Sequence, residues 1–137
     1  MTGVQTCALP ILVEPAYGYQ IKVSDTEIEK KVVISGDTRK NENLINHAMD
    51  ADALVHEVFI NLEFDENRMS KKTISNVRDY HTSPKEIGEI AKAANVKKLI
   101  LTHFVPTVFD EDFLTKEIRE SYKGNVIIGE DLLTIEI

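Results

Sequence analysis

The sequence predicts an α/β layered domain, and three observations carry that expectation. Short apolar strand-like runs alternate with polar stretches of helical period, helix-start signals separate them, and a chain of 137 residues that is 42% apolar is long enough for one buried core. Residues 16–23, AYGYQIKV, alternate as a half-buried strand does; SDTE supplies turn residues, and KKVVISG follows as a second, more apolar strand. A β-hairpin is expected there. After Gly36 the pattern changes to DTRKNENLINHAMDAD, where Leu44, Ile45 and Ala48 fall at helical spacing and Asp50 to Asp52 end the element.

The short run ALVHEVF is a buried strand, and NRMSKKTISNVRDY is a polar helix. SPKEIGEIAKAANV is a helix with Ser83 as N-cap, Pro84 in the first turn and Glu86 closing a capping box. KKLILTHF is the next strand, DEDFLTKEIRESY an amphipathic helix, NVIIG a strand, and LLTIEI a terminal strand. The predicted order is β-β-α-β-α-α-β-α-β-β, without repeat, linker or low-complexity tract.

A net charge of -7 and a pI near 5.1 disfavour broad nonspecific nucleic-acid binding, although a locally positive cleft stays compatible with them. The single cysteine, Cys7, forms no internal disulfide and belongs to no zinc-knuckle spacing. No apolar run approaches the roughly 20 residues of a membrane helix, and CALPILV lacks the basic start and the length of a secretory signal. No membrane partner is expected. Localisation stays open, with the cytoplasm favoured, and a homodimer is compatible with the sequence.

Open α/β sheets carry ligand sites at the carboxyl ends of their strands, and three strands end in polar candidates. VVISGDT delivers Asp37, ALVHEVF delivers His56 and Glu57, and KKLILTHF delivers His103, while His81 precedes the TSP turn. Each has a structural alternative. Asp37 is either a helix cap or a metal-ligating carboxylate, and His103 either a core histidine or a ligand. His56 and Glu57 point to opposite sides of a strand, so only one of them faces a site shared with Asp37. His81 is a surface-loop residue or a site residue, and His47 is a solvated helix position. As a set, Asp, Glu and His at several ends of one sheet suit zinc or manganese, or general acid/base chemistry.

In order and spacing, PAYGYQI, VVISGDTRKNENLINHAMDADALVHEVF and YHTSPKEIGEIAKAANVKKLILTHFVP resemble the carboxyl-terminal half of metallo-β-lactamase-fold hydrolases of the ribonuclease Z-like group, from about Glu14 onward. The resemblance implies an α/β fold that is the carboxyl-terminal half of an αββα sandwich. It implies two divalent metal ions, zinc or alternatively manganese, with Asp37 bridging them and His103 a ligand of the second. His81 would help protonate the leaving oxygen, with Glu57 as its relay partner and His56 facing away. Two departures qualify this. The long arm that grips precursor tRNA in processing members is replaced by the short KVSDTEIE, which favours a small phosphodiester or ester substrate over tRNA. The family's H-x-H-x-D-H signature does not occur.

Met1–Ile11, MTGVQTCALPI, resembles a translated sequencing adaptor, so residues 1–11 are expected to be non-native and residues 12–137 to be a partial hydrolase domain, inactive by itself. Two alternatives remain open: a noncatalytic α/β binding or regulatory domain, and ribonuclease Z proper acting on tRNA precursors.

Overall fold

Alternating strand and helix signals become a single sheet with helices on one face in the computed structural model, which describes residues 2–9, 16–24, 28–60 and 70–137. The elements are β1 (Thr2–Leu9), β2 (Ala16–Ser24), β3 (Glu29–Ile34), α1 (Glu42–Ala48), β4 (Ala53–Phe59), α2 (Lys71–Tyr80), α3 (Pro84–Ala93), β5 (Lys98–Val105), α4 (Glu111–Arg119) and β6 (Asn125–Ile128). The strands lie side by side in chain order. β1, β2 and β3 pair antiparallel, and β3 to β6 pair parallel. The predicted hairpin is therefore present as β2 and β3, with Tyr19 opposite Ile34 and Ser24 opposite Glu29.

The segment set aside in the sequence, Met1–Ile11, contributes Thr2–Leu9 as an edge strand paired to β2. Ladder hydrogen bonds join backbone to backbone, so such pairing is open to nearly any sequence and carries no information on a segment's origin. The predicted terminal strand LLTIEI is not formed. Gly129 closes β6 by donating to the Leu101 carbonyl at 2.9 Å, after which Leu132 takes a φ of 66° and breaks the extended run. Its apolar alternation serves another purpose: Leu133 and Ile135 line a cavity with Val55 and Ile100, over the sheet face that carries no helix.

On the other face the parallel strands supply Val33, Leu54, Leu99 and Leu101, all inaccessible to solvent. Against them pack Leu44 and Ala48 of α1, Ile87, Ile90 and Ala91 of α3, and Leu114 and Ile118 of α4. Each large side chain buried there contributes about 1.5–3 kcal/mol relative to exposure. All of β4 except Val55 is buried, so ALVHEVF carries apolar residues toward both faces, interrupted only by His56 and Glu57. The helix starts follow the sequence closely at α3, where Ser83 Oγ accepts from the Glu86 amide and Glu86 Oε2 accepts from the Ser83 amide at 3.0 Å. At α1 the cap is Asn41, whose side chain accepts from the Leu44 amide at 2.8 Å.

α3 and α4 cross closely at Gly88, where an added Cβ would lie 2.5 Å from the Ile118 carbonyl oxygen. Two effects compete in Gly88→Ala. Alanine gains about 1 kcal/mol in helix propensity, whereas forcing a methyl group against backbone costs about 1–3 kcal/mol. The substitution is expected to destabilise the chain, read as a lower urea midpoint.

Asp52 ties three strand starts together. Its carboxylate accepts from the Lys31 amide and from Lys97 Nζ, each at 2.8 Å, while its backbone donates to the Lys31 carbonyl and accepts from the Lys98 amide. The Lys97 hydrogen bond holds the Asp52 carboxyl below its ordinary value, against the opposing effect of burial. Because the folded value is depressed, the stabilisation is fully present above the unfolded value of about 3.9 and is lost as pH falls through the folded value. Asp52→Ala is expected to cost about 1–3 kcal/mol at neutral pH and to flatten the acid limb of stability, measured by urea denaturation between about pH 2 and pH 7.

Candidate metal centre

The carboxyl ends of β3, β4 and β5 meet at one edge of the sheet. β3 leads through Ser35 into Gly36, whose φ of 63° turns the chain sharply. A Cβ at Gly36 would stand 2.5 Å from the Tyr17 carbonyl oxygen, so only glycine permits this approach to β2. The turn presents Asp37 at the sheet edge. With Asn41 capping α1, Asp37 is not the cap of that helix, which removes the simplest structural explanation for it.

His103 reaches the same place through an irregularity. Glu57 pairs with Thr102 and Val58 with Phe104, so His103 is the extra residue of a bulge in β5. Its φ of 46° lies in the left-handed region that histidine visits more readily than bulky residues. The bulge re-aims the imidazole toward Asp37, with Nε2 at 3.5 Å from Asp37 Oδ2.

His81 enters from the turn between α2 and α3. Its Nδ1 lies 3.0 Å from Glu57 Oε2, and its ring stacks on Phe59 with centroids 6.2 Å apart. The His103 ring is 5.7 Å away. The Glu57 hydrogen bond raises the His81 pKa, with burial opposing and the Asp37 charge assisting. Asp37, His81 and His103 each offer a ligand atom, and these atoms all lie within 4.8 Å of one another. One carboxylate oxygen and two imidazole nitrogens at that spacing are a donor set that fits a divalent cation.

Glu57 is 2% exposed. Oε2 faces His81, and Oε1 accepts from the Thr82 amide at 2.8 Å. Thr82 in turn donates its hydroxyl to the Thr38 carbonyl and its carbonyl accepts from the Phe59 amide at 2.9 Å. Ser35 Oγ accepts from the Glu57 amide at 3.3 Å. These contacts bind the end of β3 with its following loop, and the end of β4, to the turn before α3. Ser35, Thr38 and Thr82 are supporting residues that sequence reasoning passed over, because a buried Ser or Thr has no spacing signature of its own.

His56 points the other way, as strand alternation requires. It is wholly buried, its Nδ1 donates to the Glu57 carbonyl at 2.6 Å, and burial pushes its pKa down and keeps the ring neutral. His56 Nε2 has no hydrogen-bond partner among the described residues. His47 sits within α1 with Nδ1 against the Asn43 carbonyl at 2.8 Å, away from the cluster. The four candidates Asp37, Glu57, His81 and His103 are thus brought together, and His47 and His56 are not.

No family model matches the chain. A ribonuclease Z from Archaeoglobus fulgidus is 34% identical over 110 residues, covering 79% of this chain and 33% of that protein. A ribonuclease Z from Mycobacterium tuberculosis is 30% identical over 127 residues, covering 91% of the chain and 44% of that protein. The chain therefore spans between a third and a half of the length of these relatives. Among solved structures, a metallo-β-lactamase-fold protein from Bacillus subtilis superposes with a TM-score of 0.71 at 25% identity, covering 94% of this chain and 47% of its own. Human tRNase Z, short form, superposes over 98% of this chain and 42% of its own, with a TM-score of 0.62 at 22% identity. A donor set at the carboxyl edge of this sheet and these likenesses agree: the chain belongs by fold to the metallo-β-lactamase hydrolases and by sequence to their ribonuclease Z-like group.

Proposed function

We propose that the chain supplies one side of the metal centre of a hydrolase that cleaves phosphodiester bonds with two divalent ions, zinc or manganese. The convergence of Asp37, His81 and His103 within 4.8 Å is the observation that carries this reading. A divalent cation at such a set supplies Lewis-acid stabilisation of charge on a phosphoryl centre and lowers the pKa of a water molecule. Asp37 and His103 are the proposed ligands. His81 is held at Nδ1 by Glu57, which leaves Nε2 to deliver a proton to the leaving oxygen. Glu57 fixes the ring's orientation and tautomer and favours its charged form. This reading takes residues 12–137 as the hydrolase part and leaves residues 1–11 outside it.

The ribonuclease Z names of the relatives support an RNA phosphodiester as substrate. A small phosphodiester is the second reading, favoured by the hairpin: Ser24 pairs with Glu29, so residues 25–28 are all that connect β2 to β3. A tRNA-gripping arm has no place in that connection.

His81 has a second reading as a third metal ligand, favoured by its place in the donor set. Three substitutions test these roles in the longer hydrolase, with bis-p-nitrophenyl phosphate and a precursor tRNA as substrates and metal content measured alongside. Asp37→Ala is expected to abolish turnover and lower bound metal. His81→Ala is expected to lower kcat by about 10²–10⁴ with metal retained; loss of metal in this variant would make His81 a ligand and reject its assignment as the acid. Glu57→Gln is expected to lower kcat by about 10–100-fold, by loosening the His81 ring. Retention of full metal content and activity in Asp37→Ala would sink the hydrolase reading.

A further inference from the structure

A cavity of about 580 Å³ opens beside the donor cluster, and His81 lines it. That volume lies in the range of small-ligand sites. Three cationic side chains reach it from three places: Arg39 from the loop after Asp37, Arg78 from the last turn of α2, and Lys85 from the first turn of α3. Asp79, Glu86 and Glu89 also line it; Lys40 offsets the charge of Glu89, whereas Glu86 takes only neutral donors and keeps its charge, so with Lys40 the cations exceed the acids by one. Glu86 Oε2 takes the Ser83 amide at 3.0 Å and the Ser83 hydroxyl at 2.6 Å, and Glu89 pairs with Lys40 at 2.5 Å. Among the described residues, neither Arg39 nor Lys85 forms a salt bridge, although the Lys85 charge is felt at Glu89.

The chain as a whole carries a charge of -7, which repels anions at long range. Within about a Debye length, roughly 8 Å in physiological salt, the local side chains set the potential instead. Cations converging on one opening beside a candidate acid therefore define a place where an anion is held after it arrives. Guanidinium groups suit phosphate in particular, since their planar donor forks match two of its oxygens.

We infer that this cavity is an anion subsite for the leaving side of the substrate, and that the group it takes is a phosphate carried by the leaving portion. The inference rests on the proposed role of His81: if His81 protonates the leaving oxygen, the fragment attached to that oxygen lies on the His81 side of the cluster, where the cavity begins. Arg39 and Lys85 are then specificity-determining residues. They distinguish a nucleotide, which carries a phosphate beyond its leaving oxygen, from a simple ester, which does not.

The test uses the 137-residue chain without metal, in low salt, titrated with inorganic pyrophosphate and followed by backbone amide chemical shifts. Saturable binding with shifts at Arg39 and over Ser83 to Glu89 is expected, and the double variant Arg39→Gln, Lys85→Gln is expected to raise Kd by about tenfold or more. Both residues are exposed, so the variant retains its fold. Absence of saturable binding, or an affinity unchanged in the variant, overturns the inference. Adenosine 5′-monophosphate and a short oligoribonucleotide, titrated in parallel, separate the two sources of such a phosphate. Tighter binding of the oligomer, lost in the variant, points to an RNA strand, and equal affinities point to a small nucleotide. Divalent-cation binding is measured separately, in the longer hydrolase and in its Asp37→Ala variant, where the ligand set is complete. Pyrophosphate binding by the chain without cation binding by the longer hydrolase would reject the hydrolase reading and with it the leaving-side role, whereas cation binding without pyrophosphate binding would reject only the subsite.

Discussion

The buried carboxylate of Glu57 is the contact on which the arrangement of the edge depends. A carboxylate removed from water is tolerated only where donors replace the lost hydration, and here they come from outside its own strand: His81 on one oxygen and the Thr82 amide on the other. Both belong to the turn that enters α3, so satisfying Glu57 fixes that turn against the end of β4. The Thr82 hydroxyl then reaches the loop after Asp37 through the Thr38 carbonyl. One buried acid thereby holds together three segments that are distant in sequence. The same need for partners explains why its neighbour His56 serves differently: turned to the helix side, it is held neutral by burial and, among the described residues, bonds to the backbone carbonyl of Glu57.

Around this contact the backbone does the aiming. Asp37 is placed by a glycine turn and His103 by a strand bulge, both with left-handed φ values that a regular strand end would not adopt. Such local departures are stable because the helix face of the sheet is fully packed behind them, and a close-packed core resists deformation. Rigid strands thus carry irregular ends, and the candidate donors sit on the irregularities. The bulge also explains the pairing of the two imidazoles. Without the extra residue His103 would continue the alternation of β5 from Thr102, and its ring would point to the opposite side of the sheet.

Much of this was legible in the sequence, for reasons that differ from element to element. Ser83, Pro84 and Glu86 announced α3 because capping is local chemistry that needs no tertiary partner. Asp37, Glu57, His81 and His103 were legible as a set because strand ends are easy to locate, and the resemblance to metallo-β-lactamase hydrolases supplied their order. The cap of α1 was not: Asp37 and Asn41 are both capping types, and only the path of the chain chooses between them. LLTIEI misled for a related reason. Alternation predicts one apolar side, which Leu133 and Ile135 do provide, but it does not predict that the partner is a sheet face in place of a neighbouring strand. The bulge at His103 and the cavity beside His81 have no local signature at all, since both arise from register and from contacts between distant segments.

The two faces of the sheet differ in a way that bears on the candidate metal centre. A continuous row runs across the second face, from Tyr19 through Ile34, Val55 and Ile100 to Ile127, each paired with the next. Tyr19 is 43% exposed, and Ile34, Val55 and Ile127 are only partly buried. An apolar row of this kind matches the αββα arrangement, in which a second sheet packs face to face against the first. The donor cluster sits at the rim of that seam, with the side chains of Asp37 and His103 58% and 53% exposed. In water, exposed donors hold a cation weakly because solvent competes for each coordination position, whereas ligands added from a facing sheet would both complete the set and exclude solvent. If Asp37 and His103 are the ligands proposed above, sheet packing and metal affinity are coupled: whatever covers the Ile34 to Ile127 row would also set how tightly they hold an ion.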